Sequence, residues 1–222
     1  MVKSVSVGTA AVAHTPGTWR LIYFDAPTRG EQIRMLFAIA GVPLEDVRVW
    51  PFPQGLDPYK KAAMGDQSPL CGTDLCPAVT DPEGKHCVET SDIMKFAGDK
   101  IGLGAGDKDE RAMKVCLKAQ TLLDTVFYKL LMPITVQRVA RKFSLPWIGL
   151  RVLEPLLGAS AASIAPGVEA MEAHLPAIES LLAEAEGPYC CGAKLTYADV
   201  ALFCCLHQCL SMPAFNMPSG AQ

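Results

Sequence analysis

The stretch RLIYFDAPTRGEQIRMLFAIAGVP, Arg20 to Pro43, decides the fold. With Trp19 it opens on an apolar, β-prone run, WRLIYFD, that stops at the turn signal Asp25-Ala26-Pro27. Thr28-Arg29-Gly30-Glu31 then matches a capping box, in which a Thr hydroxyl and a Glu carboxylate satisfy the exposed N–H groups of a helix start. Ile33, Leu36, Phe37 and Ala40 recur at helical spacing, and Gly41 and Pro43 supply the stop. The pattern predicts a helix of about thirteen residues buried on one face. Leu44 to Trp50 alternates in part and reads as a second strand, so the segment is a βαβ unit with parallel strands and a right-handed crossover. A tyrosine at the end of the first strand, Tyr23, raises the question of whether its phenol is placed for chemistry.

Further along, Pro51 to Ser68 is turn-rich, with one short helix around Pro58 to Met64. Ala78 to Thr80, the turn Asp81-Pro82-Glu83-Gly84 and Lys85 to Val88 read as a β-hairpin, and a helix runs from Thr90 to about Lys100. Ile101 to Gly106, IGLGAG, reads as a linker, and Asp107 to Glu110 opens another helix with a capping-box pattern. From there to residue 211 only helical periodicity follows, interrupted at Pro133, Pro146, Pro155 and Pro166. His174 to Leu182 is amphipathic and ends at Gly187-Pro188; Thr196 and Asp199 form a further capping box, stapled by Leu195 and Val200. The expected domains are a disordered extension at 1–18, an α/β domain at 19–101 and an all-helical domain at 107–222.

Composition narrows the function classes. A formal charge of -3 offers no electrostatic case for nucleic acid, and the Arg138 to Lys142 patch reads as a solvated helix face. No apolar run approaches the roughly 18 residues needed to span a bilayer. Nine cysteines, an odd number with adjacent pairs at Cys190-Cys191 and Cys204-Cys205, suit reduced thiols better than a disulfide framework. Cys204, Cys205, His207 and Cys209 lie in an apolar helical run where Cys acts as a small hydrophobe, so no metal is expected there. The first 18 residues are small, hydroxylated and free of acid, weakly like a transit peptide but without arginine.

Four separated stretches carry a resemblance to the cytosolic glutathione S-transferases, nearest to the tyrosine-dependent, sigma-like class. YFDAPTRGEQIR at 23 to 34 resembles the family's first strand and helix, and CPAV at 76 to 79 the segment around its cis-proline. ETSDI at 89 to 93 looks like its Gln/Glu-Ser-x-Ala-Ile motif, and PYCCGAKLTYADVALF at 188 to 203 like the capping-box segment of its helical domain. The resemblance covers about residues 19 to 210 and implies a thioredoxin-like domain, βαβαββα, followed by a helical one. It also implies glutathione as co-substrate, a small hydrophobic electrophile as its partner, a homodimer, and a cytoplasmic location. If residues 1–18 are a transit remnant, an organelle stroma or matrix replaces the cytoplasm.

Glutathione chemistry requires the thiolate, because the thiol is a poor nucleophile. A free thiol has a pKa of about 8.5, and lowering it by about 1.5 to 2 units, roughly 2 to 3 kcal/mol, makes most of it thiolate near neutral pH. The resemblance assigns Tyr23 as the phenolic donor to that thiolate and Arg29 as a cation beside it. It assigns the backbone of Cys76, before a cis Pro77, to the tripeptide main chain. Thr90 at a helix start suits the γ-glutamyl carboxylate, Glu89 the α-ammonium, and Lys61 the glycine carboxylate. A free Cys76 next to the bound thiol raises thiol exchange as a further expectation.

Four features depart from the family. No tryptophan stands ahead of Lys61, since Asp57 falls there and Trp50 is displaced. CGTDLC at 71 to 76 is longer than the usual approach to the proline, and Asp92 replaces the common Ala. After LTYADV the family continues for about two more helices, whereas SMPAFNMPSGAQ does not look helical, so either the second domain is closed differently or an apolar surface is left for a protein partner. The alternative to a transferase is therefore a non-catalytic structural or binding subunit of a larger assembly.

Overall fold

The computed structural model describes residues 3–6, 11, 13–25, 28–50, 53–126 and 161–210. Five strands, β1 (Lys3–Ser6), β2 (Trp19–Phe24), β3 (Leu44–Val49), β4 (Ala78–Thr80) and β5 (His86–Val88), form one sheet in the order β1-β3-β2-β4-β5. Helix α1 (Arg29–Ala40) joins β2 to β3, α2 (Lys61–Met64) lies between β3 and β4, and α3 (Thr90–Lys100) follows β5. The helical part contributes α4 (Asp109–Val126), α5 (Ala161–Ala183) and α6 (Tyr197–Leu210). The chain is thus a thioredoxin-like α/β domain followed by a helical one.

β2 and β3 pair in parallel, Ile22 opposite Val47 and Tyr23 opposite Arg48, as the βαβ reading predicts. β4 pairs antiparallel with both β2 and β5, which forms the expected hairpin. Strand alternation sorts β2 onto two faces. Ile22 packs on one face with Val47, Val49, Leu56, Tyr59, Leu70 and Ala78, and Phe24 and Cys76 pack against this group. Trp19 points to the other face, where its ring meets Phe37 of α1 at 5.1 Å and Phe96 of α3 at 5.8 Å. Leu36 and Phe37 of α1 and Ile93 and Met94 of α3 are fully buried, worth about 1.5–3 kcal/mol for each large side chain. Gly41, in the left-handed region at φ 67°, closes α1 as its sequence position predicts.

Three expectations about organisation change. Residues 1–18 are not wholly disordered: Lys3–Ser6 pairs in parallel with β3 as an edge strand, and the Gly17 N–H bonds to the Pro82 carbonyl at 3.2 Å. The exposed edge of β3 offers unpaired main-chain groups, and short polar residues satisfy them as well as apolar ones do. Next, the division between compact units does not fall at Ile101 to Gly106. One unit comprises residues 1–117 with 185–204, the other 118–184 with 205–222. In the first unit the Tyr197 N–H bonds to the Leu103 carbonyl at 2.8 Å, and Arg111 donates to the Cys190 carbonyl at 2.6 Å. A Cβ at Gly98 would meet the Tyr197 side chain at 2.9 Å, so α3 and the start of α6 touch closely. The glycine-rich stretch is packed there rather than acting as a tether.

Finally, α5 runs unbroken through both Pro166 and Pro176. An internal proline costs about 3 kcal/mol of helix, yet the flanking Ala, Glu, Leu and Met residues favour helix. In the second unit Ala170, Met171, Ile178 and Leu181 form the buried stripe of that helix. The breaks expected at Pro133, Pro146 and Pro155, and the tail after residue 210, lie outside the described residues.

Candidate functional site

Tyr23 ends the helix-facing row of β2 and is 6% exposed. Its ring lies under the first turn of α1, so close that a Cβ at Gly30 would fall 2.2 Å from Cδ1. Only glycine fits at that point. The Arg34 guanidinium carbon lies 5.9 Å from the ring centroid, and the Phe24 ring 5.6 Å away at a tilt. The phenol is therefore held in one place by backbone, cation and aromatic contacts.

Its hydroxyl is hydrogen-bonded to Thr28 Oγ1. The capping box expected at Thr28 and Glu31 is not formed: Thr28 makes no side-chain cap bond, and the Glu31 carboxylate accepts from Arg34 at 3.2 Å instead. Losing such a cap costs a helix about 1 kcal/mol. What this arrangement gains is a buried hydroxyl pair, with Thr28 only 4% exposed. Burial raises the Tyr23 pKa above its ordinary value, and the Cys76 thiol adds to the rise. The bond to Thr28, the Arg29 charge and the Arg29 backbone N–H oppose it. The phenol stays protonated and remains a donor.

The register brings the other expected groups to the same end. Ile22 pairs with Ala78, and Ala78 with Val88, so one residue further on come Tyr23, Pro77 and Glu89. The Cys76–Pro77 bond is cis. Burial pushes the half-buried Cys76 thiol up to about 12, against a backbone hydrogen bond from Phe24 and the Arg29 charge. At neutral pH it is a thiol, which argues against Cys76 as the exchanging nucleophile. Glu89 holds φ at 68°, a region that costs a non-glycine residue about 1–3 kcal/mol and is found at ligand clamps. Its carbonyl accepts the Ile93 N–H at 2.8 Å, and Thr90, 5% exposed, opens α3.

β2 and β5 both run opposite to β4, so α1 and α3 begin at the same end of the sheet. Two helix N-termini opening together favour negative charge through their N–H groups and dipoles.

Beneath this end lies an ion network that the sequence does not announce. Asp46 of β3, fully buried, accepts from Arg34 at 2.9 and 3.1 Å and from Arg48 at 2.8 Å. Arg48 also pairs with Asp25 at 2.7 Å, and Arg34 donates to the Phe24 carbonyl at 3.3 Å. Arg34 thus ties α1, β3 and the end of β2 together.

Lys61, at the start of α2, is solvated. Its side chain is 64% exposed and lies 3.7 Å from Asp66, while its backbone N–H bonds to Asp74 at 3.0 Å. The register and the start of α3 therefore bring Tyr23, Cys76, Pro77, Glu89 and Thr90 to one end of the sheet, with Arg29 beside Tyr23. The close approach of Thr28, Gly30 and Arg34 to Tyr23 was not anticipated from the sequence. Gly30 carried a usable signal, because a glycine inside a predicted helix calls for a packing reason. Cys204, Cys205 and Cys209 are buried and His207 is exposed, as expected of a helix face.

Comparison with known proteins adds a family context to this geometry. Residues 168–219 match the family described as Glutathione S-transferase, C-terminal domain. Mouse Glutathione S-transferase A2 is 29% identical over 184 residues, covering 82% of this chain and 69% of the mouse protein. Glutathione S-transferase 4 of Caenorhabditis elegans is 24% identical over 184 residues, 83% of this chain and 76% of that protein. Among solved structures, the theta class glutathione S-transferase of Xanthomonas axonopodis pv. citri, with glutathione bound, superposes with a TM-score of 0.63. It is 15% identical and the match covers 92% of this chain and 87% of that one. The fold is that of the glutathione S-transferases, and the sequence matches support a place in that family.

Proposed function

We propose that this chain is a glutathione transferase that activates the tripeptide's thiol as thiolate at the end of its sheet. The reading rests above all on one observation: the Tyr23 hydroxyl is buried at the start of α1, beside Arg29, at the end where α3 also begins. A sulfur anion there meets a phenolic donor, a cation and a helix N-terminus, which together are of the size needed for about 2–3 kcal/mol.

Glu89 and Thr90 take the γ-glutamyl end through the α3 N-terminus, and the main chain of Cys76 pairs with the tripeptide backbone as a short added strand. Lys61, solvated and only loosely paired with Asp66, takes the glycine carboxylate. The second substrate is a small hydrophobic electrophile, and the working form is a homodimer in the cytoplasm.

Calorimetric titration of reduced glutathione into the purified chain tests the reading without a choice of electrophile. Saturable binding in the millimolar range or tighter supports it, followed by a loss of turnover but not of binding in Tyr23→Phe. A flat titration on folded protein overturns it in favour of a non-catalytic subunit.

A further inference from the structure

We propose that Thr28 is a positioning residue of this site: its hydroxyl donates to Tyr23 Oη, which leaves the phenol's own proton free for the glutathione sulfur. The inference rests on the glutathione reading above, and it assigns Thr28 a role that its sequence position, a helix N-cap, does not suggest.

Three observations carry it. The Thr28 hydroxyl is hydrogen-bonded to the Tyr23 hydroxyl. It makes no side-chain cap bond at the helix start, where a Thr at this position ordinarily accepts an N–H. Both residues are buried, Tyr23 to 6% and Thr28 to 4%, and the ring cannot swing aside because Gly30 and Arg34 enclose it.

Each hydroxyl has a single proton to give and two lone pairs to receive. Without a sulfur anion either one can donate to the other. With an anion in front of Tyr23, one arrangement satisfies all three groups: Thr28 O–H to Tyr23 Oη, and Tyr23 O–H to sulfur. Donation into the phenol oxygen polarises its O–H, and in a buried chain of hydrogen bonds each member strengthens the next. The direction agrees with Tyr23 itself, on which the Thr28 bond acts to lower the pKa against the burial that raises it.

The test uses Thr28→Val, which keeps the shape and removes the hydroxyl, and Thr28→Ser, which keeps the hydroxyl. In the protein without glutathione, ultraviolet titration of each variant, with and without Tyr23→Phe, isolates the Tyr23 phenol. Its pKa is expected to rise further in Thr28→Val and to return in Thr28→Ser. With reduced glutathione added, the thiolate absorbance band followed against pH should shift upward by about one unit in Thr28→Val. kcat/KM should fall about tenfold there, chiefly in kcat, with Thr28→Ser near wild type. An unchanged phenol pKa together with an unchanged thiol pKa in Thr28→Val overturns the proposal. So does a Thr28→Val loss larger than that of Tyr23→Phe and unaltered in the double variant, which makes Thr28 the direct donor. A wild-type chain with no thiolate band sinks the glutathione reading and the thiolate half of this inference, while the phenol titration still decides the Thr28–Tyr23 link.

Discussion

At the scale of single residues, the site depends on a glycine. A methyl group at Gly30 falls within 2.2 Å of the Tyr23 ring, and the ring is already enclosed by Arg34. Gly30→Ala should therefore displace the phenol and lower kcat/KM by about 10- to 100-fold, since misplacement by an ångström can cost that much. Steady-state kinetics beside a thermal melt separates this from unfolding. Glu89 offers the converse experiment. Alanine at φ 68° bears the same strain but lacks the carboxylate, so Glu89→Ala should keep the melting temperature and weaken glutathione binding in calorimetry. Tyr23 also predicts a pH effect. Its folded-state pKa lies above the ordinary value of about 10, so its contribution to stability is fully present below pH 10 and is lost as pH rises through the raised value. The melting-temperature difference between wild type and Tyr23→Phe should be constant up to about pH 10 and shift against wild type above it.

At the scale of elements, the Arg34–Asp46 pair fastens α1 to β3, and the Arg34 bond to the Phe24 carbonyl fastens both to the end of β2. Removing one member of a buried ion pair leaves the other charge without compensation, at a cost of about 3–5 kcal/mol. Asp46→Ala should lose about that much in urea denaturation, because two arginines depend on it. The elements themselves were largely readable. β2, α1, β3, the hairpin and α3 all stand where apolar spacing and turn residues put them, because each buries a face whose period is local information. The cap at Thr28 was not readable. A capping box and a tertiary hydroxyl bond use the same Thr, and only the position of Tyr23 five residues earlier decides between them. The added strand β1 escaped for a related reason: KSVS has no apolar face, and its pairing comes from the open edge of β3.

At the scale of the whole molecule, all nine cysteines are thiols, and burial pushes Cys76, Cys116 and Cys209 up to about 12. Native protein treated with a thiol reagent should therefore react first at the exposed Cys71, and Cys71→Ser should remove the fastest phase. Modification of Cys116 as quickly as Cys71 would count against this packing. The family resemblance lay in four short stretches spread over the chain, and the fold they implied is the fold observed. By itself the sequence determined β2 to β5 with α1 and α3, their order, the parallel βαβ unit and the residue types gathered at the end of the sheet. Periodicity, turns and caps act over a few residues, so they are written locally. The tertiary structure alone decided that the glycine-rich stretch packs instead of dividing the units, that Lys3–Ser6 pairs with β3, and that the Thr28 hydroxyl bonds to Tyr23 rather than capping its helix. Each of these depends on which groups far apart in the chain compete for one hydrogen bond or one surface, and that competition is settled only when the chain is folded.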